Sequence, residues 1–338
     1  MKRVIAAILI SNVLVTSCAV TSSLSPSPTT GLGVRLKVVS TVSPITNIIY
    51  NIGGNKVDVE GIVPEGVNSH TFEPAPSDSR KLAGADIIFV NGLKLEEPTL
   101  KLAEANKKVG AEIIELGLLT IQPSDYVYDF SFPKEVGSPN PHLWMNPIYA
   151  LRYGEIARDV LARRDPENAA YYKRNYEAFK VRITALDSAI KETIATIPEG
   201  NRKLLTYHDS FAYFAPRYGM SVIGAIQPSD FAEPSARDVA DIITQLRNEN
   251  VPAIFGSEVF PSPILDQIGK EADVKFIDTL RDDDLPGQPG EATHSYFGLI
   301  VDDMKTMAKA LGGDPSKIAS FDTSNVPGVD ATVIQAQE

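Results

Sequence analysis

From Asp165 to Pro198 the chain reads DPENAAYYKRNYEAFKVRITALDSAIKETIATIP, and its apolar residues keep helical spacing for about thirty residues, beyond the usual globular helix. A helix of that length can cross from one body to another. Asp165 is a candidate N-cap, with Pro166 at the first helical position. On both sides of this segment, strand-like runs alternate with helical ones. Before it come RLKVVST, SPITNIIYNIGG, KVDVEGIV, ADIIFVNG, KLEEPTLKLAEAN and AEIIEL. After it come KLLTYH, SFAYFAPRYG as a helix, MSVIGAI, PSARDVADIITQLRNEN, VPAIFGSE, SPILDQIGKEA, VKFIDTL and a last helix from Ser295 to Leu311. Such alternation predicts α/β lobes built on parallel sheets. The expected architecture is an N-terminal α/β lobe over 35–164, one long rigid linking helix over 165–197, and a C-terminal α/β lobe over 198–312. The tail 313–338 has weak periodicity and is read as a disordered end.

The N-terminus, MKRVIAAILISNVLVTSCAV, has a positive start at Lys2 and Arg3, then an apolar core over Val4–Val15 too short to span a membrane. Val15-Thr16-Ser17 lead into Cys18, a pattern that resembles a bacterial lipobox; an ordinary signal peptide with a chance cysteine is the alternative. Residues 1–17 then form a lipoprotein leader, Cys18 carries the lipid, and the Ser/Thr/Pro/Gly-rich 18–34 is a flexible tether. The expected location is the bacterial cell envelope, facing the periplasm or the exterior. Loss of the leader takes Lys2 and Arg3 but no acidic residue, so the net charge moves from −11 to −13. That acidity, with no basic, aromatic-interleaved stretch, argues against nucleic acid. Cys18 is the only cysteine, so any metal in the body must be held by histidines and carboxylates.

The chain has four histidines. His70, in VPEGVNSHTFEPAPSD, and His142, in NPHLWMNP, sit in proline-stiffened loops, and His208 ends the strand KLLTYH. All three fall where α/β proteins put ligands, at or beyond the carboxyl ends of strands. A tight site for a first-row divalent ion needs about four donors, and imidazoles with a carboxylate suit zinc, manganese or iron. The strand KFIDTL supplies Asp278 in a comparable position, which makes two donors from each lobe and puts the ion in the cleft between them. His294 starts a helix and is read as a surface or supporting residue. Asp282, Asp283 and Asp284 read most simply as a solvated acidic loop, Asp209 as a helix cap, and Trp144 and Met145 as packing beneath the His142 loop.

With these positions in view, the lipobox, NSHTFEPAPSD, NPHLWMNP, YHDSFAYFAPRYG, AEPSARDVADI, VPAIFGSE and KFIDTL together resemble the zinc/manganese solute-binding lipoproteins of bacterial metal ABC importers. The likeness runs from about Arg35 to Leu311 in motif order. It implies two α/β lobes joined by one rigid helix, a metal held between them by residues matching His70, His142, His208 and Asp278, and Glu258 supporting that shell. His208 and AEPSARDVADI resemble the zinc branch of the family, whereas the loop SDYVYDFSFPKEVGSPN lacks the histidines of many zinc binders. The stretch RDDDLPGQPGEATHSY is longer than usual, which leaves one of Asp282 to Asp284 as an alternative to Asp278.

The function expected is high-affinity capture of a divalent transition metal, zinc first, manganese next and iron third, as cargo for an ABC permease. The chain is expected to act as a monomer and not as an enzyme. A zinc hydrolase needs an open coordination position and a nearby base; three histidines with Asp278 would close the shell, and no HExxH-like helix occurs. A metal-independent surface adhesin is the other alternative, and lipid anchoring fits it equally.

Overall fold

The runs Val38-Val39 and Ile87-Ile88-Phe89-Val90 are buried end to end, which a strand achieves only with structure covering both faces of its sheet. A computed structural model describes residues 35–227, 229, 231–259 and 263–326, apart from the side chains of Asp278 and Thr279. The expected leader, Cys18 and the tether lie outside the described residues. In the first half, β1 (Leu36–Ser40), β2 (Val57–Gly61), β3 (Ile87–Val90) and β4 (Glu112–Glu115) form a parallel sheet in the order β2-β1-β3-β4. The connections include α1 (Ser43–Gly53), α2 (Asp78–Gly84) and α3 (Glu97–Asn106). In the second half, β5 (Lys203–Thr206), β6 (Ser221–Ala225), β7 (Ala253–Ser257) and β8 (Lys275–Leu280) repeat the pattern as β6-β5-β7-β8, again parallel. Each sheet therefore reverses its strand order once, and such a reversal opens a crevice at the strands' carboxyl ends.

Between the sheets run α4 (Pro147–Arg164) and α5 (Ala169–Ala195). The long helix starts later than the Asp165 cap implied: Asp165 ends α4, and Pro166–Asn168 make one 3-10 turn before α5 begins. Asp165 still organises the junction, because its carboxylate accepts hydrogen bonds from Asn168 and from the Tyr172 hydroxyl. With 27 residues α5 is about 40 Å long. Its buried stripe, Tyr172, Tyr176, Phe179, Ile183, Leu186, Ile190 and Ile194, follows the helical period. Near its start Asn175 donates to the Ile52 carbonyl of α1, and farther along Asp187 accepts from Arg217 and the Tyr218 hydroxyl beyond β5. One helix thus binds both halves by named hydrogen bonds.

Asp187 is the strongest of these anchors. Burial opposes its charge, but hydrogen bonds from Arg217, Lys191 and Tyr218 prevail and hold its carboxyl at about 2. A folded value below the unfolded ~3.9 means that the stabilisation is complete above about pH 4 and is lost as pH falls toward 2. Asp187→Asn is therefore expected to cost about 2 kcal/mol at pH 7, a figure trimmed by solvent screening of the half-exposed Lys191. Urea midpoints at pH 7 and pH 3 should show the gap between parent and variant narrowing at the lower pH.

Two other segments depart from the sequence reading. SFAYFAPRYG is not a helix: the Asp209 carboxylate accepts from the Phe211 amide, Pro216 removes a donor, and only a 3-10 turn forms over Ala215–Tyr218 before Gly219 turns left-handed (φ 70). The presumed disordered tail is packed as far as 326. A short α9 (Ser316–Ala319) buries Ile318, Val326 is buried, and Asn51 of α1 donates to Asn325 and accepts from the Val326 amide. The other helices of the second half are α6 (Ala236–Glu249), α7 (Pro263–Ala272) and α8 (Tyr296–Ala310), the last capped by Ser295. Among the described residues no helix is long and apolar enough to cross a membrane.

Candidate metal centre

Proline and asparagine hold the NPHLWMNP segment. The Asn140 side-chain Oδ1 accepts the His142 backbone amide at 2.9 Å and lies 3.0 Å from the ring Nδ1. With Nδ1–H donating there, Nε2 keeps a free lone pair. The other end of Asn140 donates to the Asp129 carboxylate and to the Asp209 carbonyl, so the residue also ties this loop to the one after His208. Leu143–Met145 form a 3-10 turn, and Asn146 caps α4 by accepting from Ile148. The odd rigidity of the segment is thus a device for aiming one nitrogen.

His70 follows β2, in a loop where its amide donates to Asn68, and His208 stands two residues past β5. All three rings converge: the Nε2 of His142 lies 3.1 Å from that of His70 and 3.3 Å from that of His208. One donor atom from each histidine lies within 4.8 Å of the other two. His142 and His208 are buried, and His70 is the partly exposed member.

Among the described residues, the carboxylate of Asp282 approaches these nitrogens. Its Oδ2 is 2.8 Å from His208 Nε2 and 3.3 Å from His142 Nε2. Asp278 lies within β8, and its side chain is outside the described residues. The strand ends at Leu280, as KFIDTL implied, and the extra residue between the Phe255–Ile277 and Ser257–Leu280 pairs is a bulge in β8, after which the acidic loop follows directly. That loop is not solvated. Asp282, Asp283 and Asp284 are 2%, 3% and 9% exposed, and their burial is explained by what they bind. Glu258, just past β7, accepts all three of their backbone amides on one oxygen. Asp283 accepts from the Ser69 amide, Asp284 from Gly66, and the Leu285 amide donates to Glu65. Trp144 is buried packing, as its sequence context implied, but its indole also donates to the Asp282 carbonyl at 2.8 Å. His294 is buried as well, with Nε2 3.7 Å from Glu65.

The electrostatics follow from crowding polar groups in a dry place. Burial, and then the charge of His208, pushes His142 down to about 4. Burial and its two neighbouring imidazoles hold His70 well below the usual range. Burial also works against a charged His208, but the Asp282 carboxylate outweighs it and raises that ring, while His208 in turn draws Asp282 far below the carboxylate range. Glu258 and Asp283 are pushed up by burial and by the negative charge of Asp282. The centre thus presents two neutral imidazoles, His70 and His142, beside a protonated His208 held against an ionised Asp282 carboxylate, and a divalent ion binding there would displace the His208 proton. Nothing in the sequence signals Asn140 as an aiming residue except its place two positions before the histidine.

Residues 38–310 match the family described as zinc-uptake complex component A, periplasmic. The chain is 30% identical over 307 residues to the iron-binding protein YfeA of Yersinia pestis, an alignment spanning 91% of this chain and 96% of that protein. It is 28% identical to the metal ABC transporter substrate-binding lipoprotein SsaB of Streptococcus sanguinis, over 82% of this chain and 89% of the relative. The fold is shared with the periplasmic zinc binding protein TroA from Treponema pallidum, at a TM-score of 0.74 and 24% identity, covering 82% of this chain and 99% of that structure.

Proposed function

Because the chain belongs to the family of zinc-uptake complex component A, the periplasmic metal-binding component of ABC metal transporters, we propose that it captures a divalent transition-metal ion outside the cytoplasm and passes it to an ABC permease. The ligands in this reading are Nε2 of His70, His142 and His208 with the carboxylate of Asp282. One observation carries it: an Nε2 from each of three histidines of distant segments and an Asp282 carboxylate oxygen crowd within a few ångströms of one another at a largely buried place. Imidazole nitrogens and a carboxylate gathered in this way are the donor set a first-row divalent ion takes. Asp282, one of the alternatives to Asp278 in the sequence reading, is the fourth donor proposed here; the Asp278 side chain lies outside the described residues.

Zinc is the favoured cargo, with manganese and iron behind it, because three imidazoles and one carboxylate match the four-donor shell zinc accepts. Cys18 is the proposed lipid anchor that keeps the protein beside its permease. Titration of the purified chain with zinc against a chromophoric chelator should give one sub-micromolar site. His70→Ala combined with His208→Ala should abolish it, and a double variant that binds as tightly as the parent would sink the reading.

A further inference from the structure

Beyond the four donors, the centre has a hydrocarbon wall. The Phe231 ring stacks on His70, with centroids 4.7 Å apart and planes 18° from parallel. Phe132 lies 5.4 Å from His70, 5.6 Å from His142 and 6.1 Å from Phe231. His70, the ring nearest solvent, therefore has a phenyl on each of two sides. Neither phenyl offers a nitrogen or oxygen to a metal or to a water bound to one.

Both rings are held deliberately. The Asp129 carboxylate accepts the Ser131 and Phe132 amides, and the Phe132 carbonyl accepts the Asp129 amide, closing a tight turn that buries the ring. Phe231 sits at φ 60, a left-handed conformation that bulky residues seldom adopt, and its carbonyl accepts the side-chain amide of the buried Gln227. A strained backbone that persists beside a ligand cluster calls for a reason, and the stacked contact with His70 supplies one.

Granting the metal-binding reading above, we propose that Phe132 and Phe231 select the cargo by coordination number. An ion satisfied by four protein donors fits a dry wall; an ion that prefers six oxygen-rich positions must keep water there, and that water would find no hydrogen-bond partner on the phenyl faces. The site then favours zinc over manganese by more than the intrinsic order of metal affinities. Opening the wall should narrow the gap chiefly by improving the hydrated ion.

The test uses the purified chain with cobalt(II) as an optical probe, and zinc and manganese(II) in competition with a chelator. The parent should give the intense visible bands of four-coordinate cobalt. Phe231→Ser should weaken them toward the six-coordinate pattern and lower the zinc-to-manganese affinity ratio about tenfold, the worth of one regained hydrogen bond. Phe231→Leu, which keeps the wall apolar, should preserve both readouts. A six-coordinate spectrum in the parent, or a Phe231→Ser variant that keeps the parent's spectrum and ratio or loses both metals equally, overturns the proposal. A chain that takes up none of the three ions instead defeats the function reading itself, and this inference with it.

Discussion

Asp282→Ala should weaken zinc binding by about 10²–10³-fold, whereas Asp278→Ala should leave it within about threefold. The magnitude comes from sharing the roughly 10–16 kcal/mol of a four-donor zinc site among its ligands, about 3–4 kcal/mol each. Asp282 is expected to carry that share because its Oδ2 is the carboxylate oxygen against His142 and His208, and because its backbone is clamped at both ends. The Trp144 indole holds its carbonyl, and Glu258 holds its amide. The measurement is competitive titration of both variants beside the parent. An Asp278→Ala variant that loses binding while Asp282→Ala retains it would return the fourth donor to the strand.

Glu258→Ala should be the most damaging single change to the acidic loop. Its Oε1 accepts the amides of Asp282, Asp283 and Asp284 at 2.9, 3.2 and 3.1 Å, and truncation strands three buried donors at about 1–3 kcal/mol apiece. Some relief comes from water entering the gap, so about 3–5 kcal/mol of stability is the expected loss, together with a 10–100-fold drop in metal affinity as Asp282 loses its support. Glu258→Gln separates acceptor from charge. Burial and the neighbouring aspartates already push the Glu258 carboxyl up to about 8, so much of the negative charge is absent at neutral pH, and a neutral carbonyl can still accept the amides. The glutamine variant should therefore stay close to the parent in chemical denaturation. A glutamine variant as unstable as the alanine one would assign the effect to charge and not to the cradle.

These two residues mark the boundary of what could be read in the chain beforehand. The α/β alternation, the long helix and the three histidines were legible because each rests on local pattern: period along the strand or helix, or a histidine fixed near a strand end by prolines. The fourth donor was not legible in the same way. KFIDTLRDDD offers four aspartates within seven positions, and local chemistry treats them as equivalent. Where each of them sits depends on the bulge in β8 and on the reach of Trp144 and Glu258 from other segments.

The same distinction separates the acidic loop as text from the acidic loop as structure. Three consecutive aspartates imply solvent when only their charge is known, since burying a carboxylate is costly without partners. Here the carboxylates of Asp284 and Asp283 accept the backbone amides of Gly66 and Ser69 from the first half, while Glu258 from the second half accepts the loop's own amides, none adjacent in sequence. The Phe231 wall is likewise a tertiary fact, because stacking on His70 joins residues 161 positions apart through a backbone conformation that no propensity for phenylalanine foretells. Sequence alone determined the kind of fold and marked three histidines that the structure brings together, because periodicity and short loops act over a few residues. Which carboxylate approaches those histidines, and which phenyl ring stacks on His70, was decided only when distant segments met.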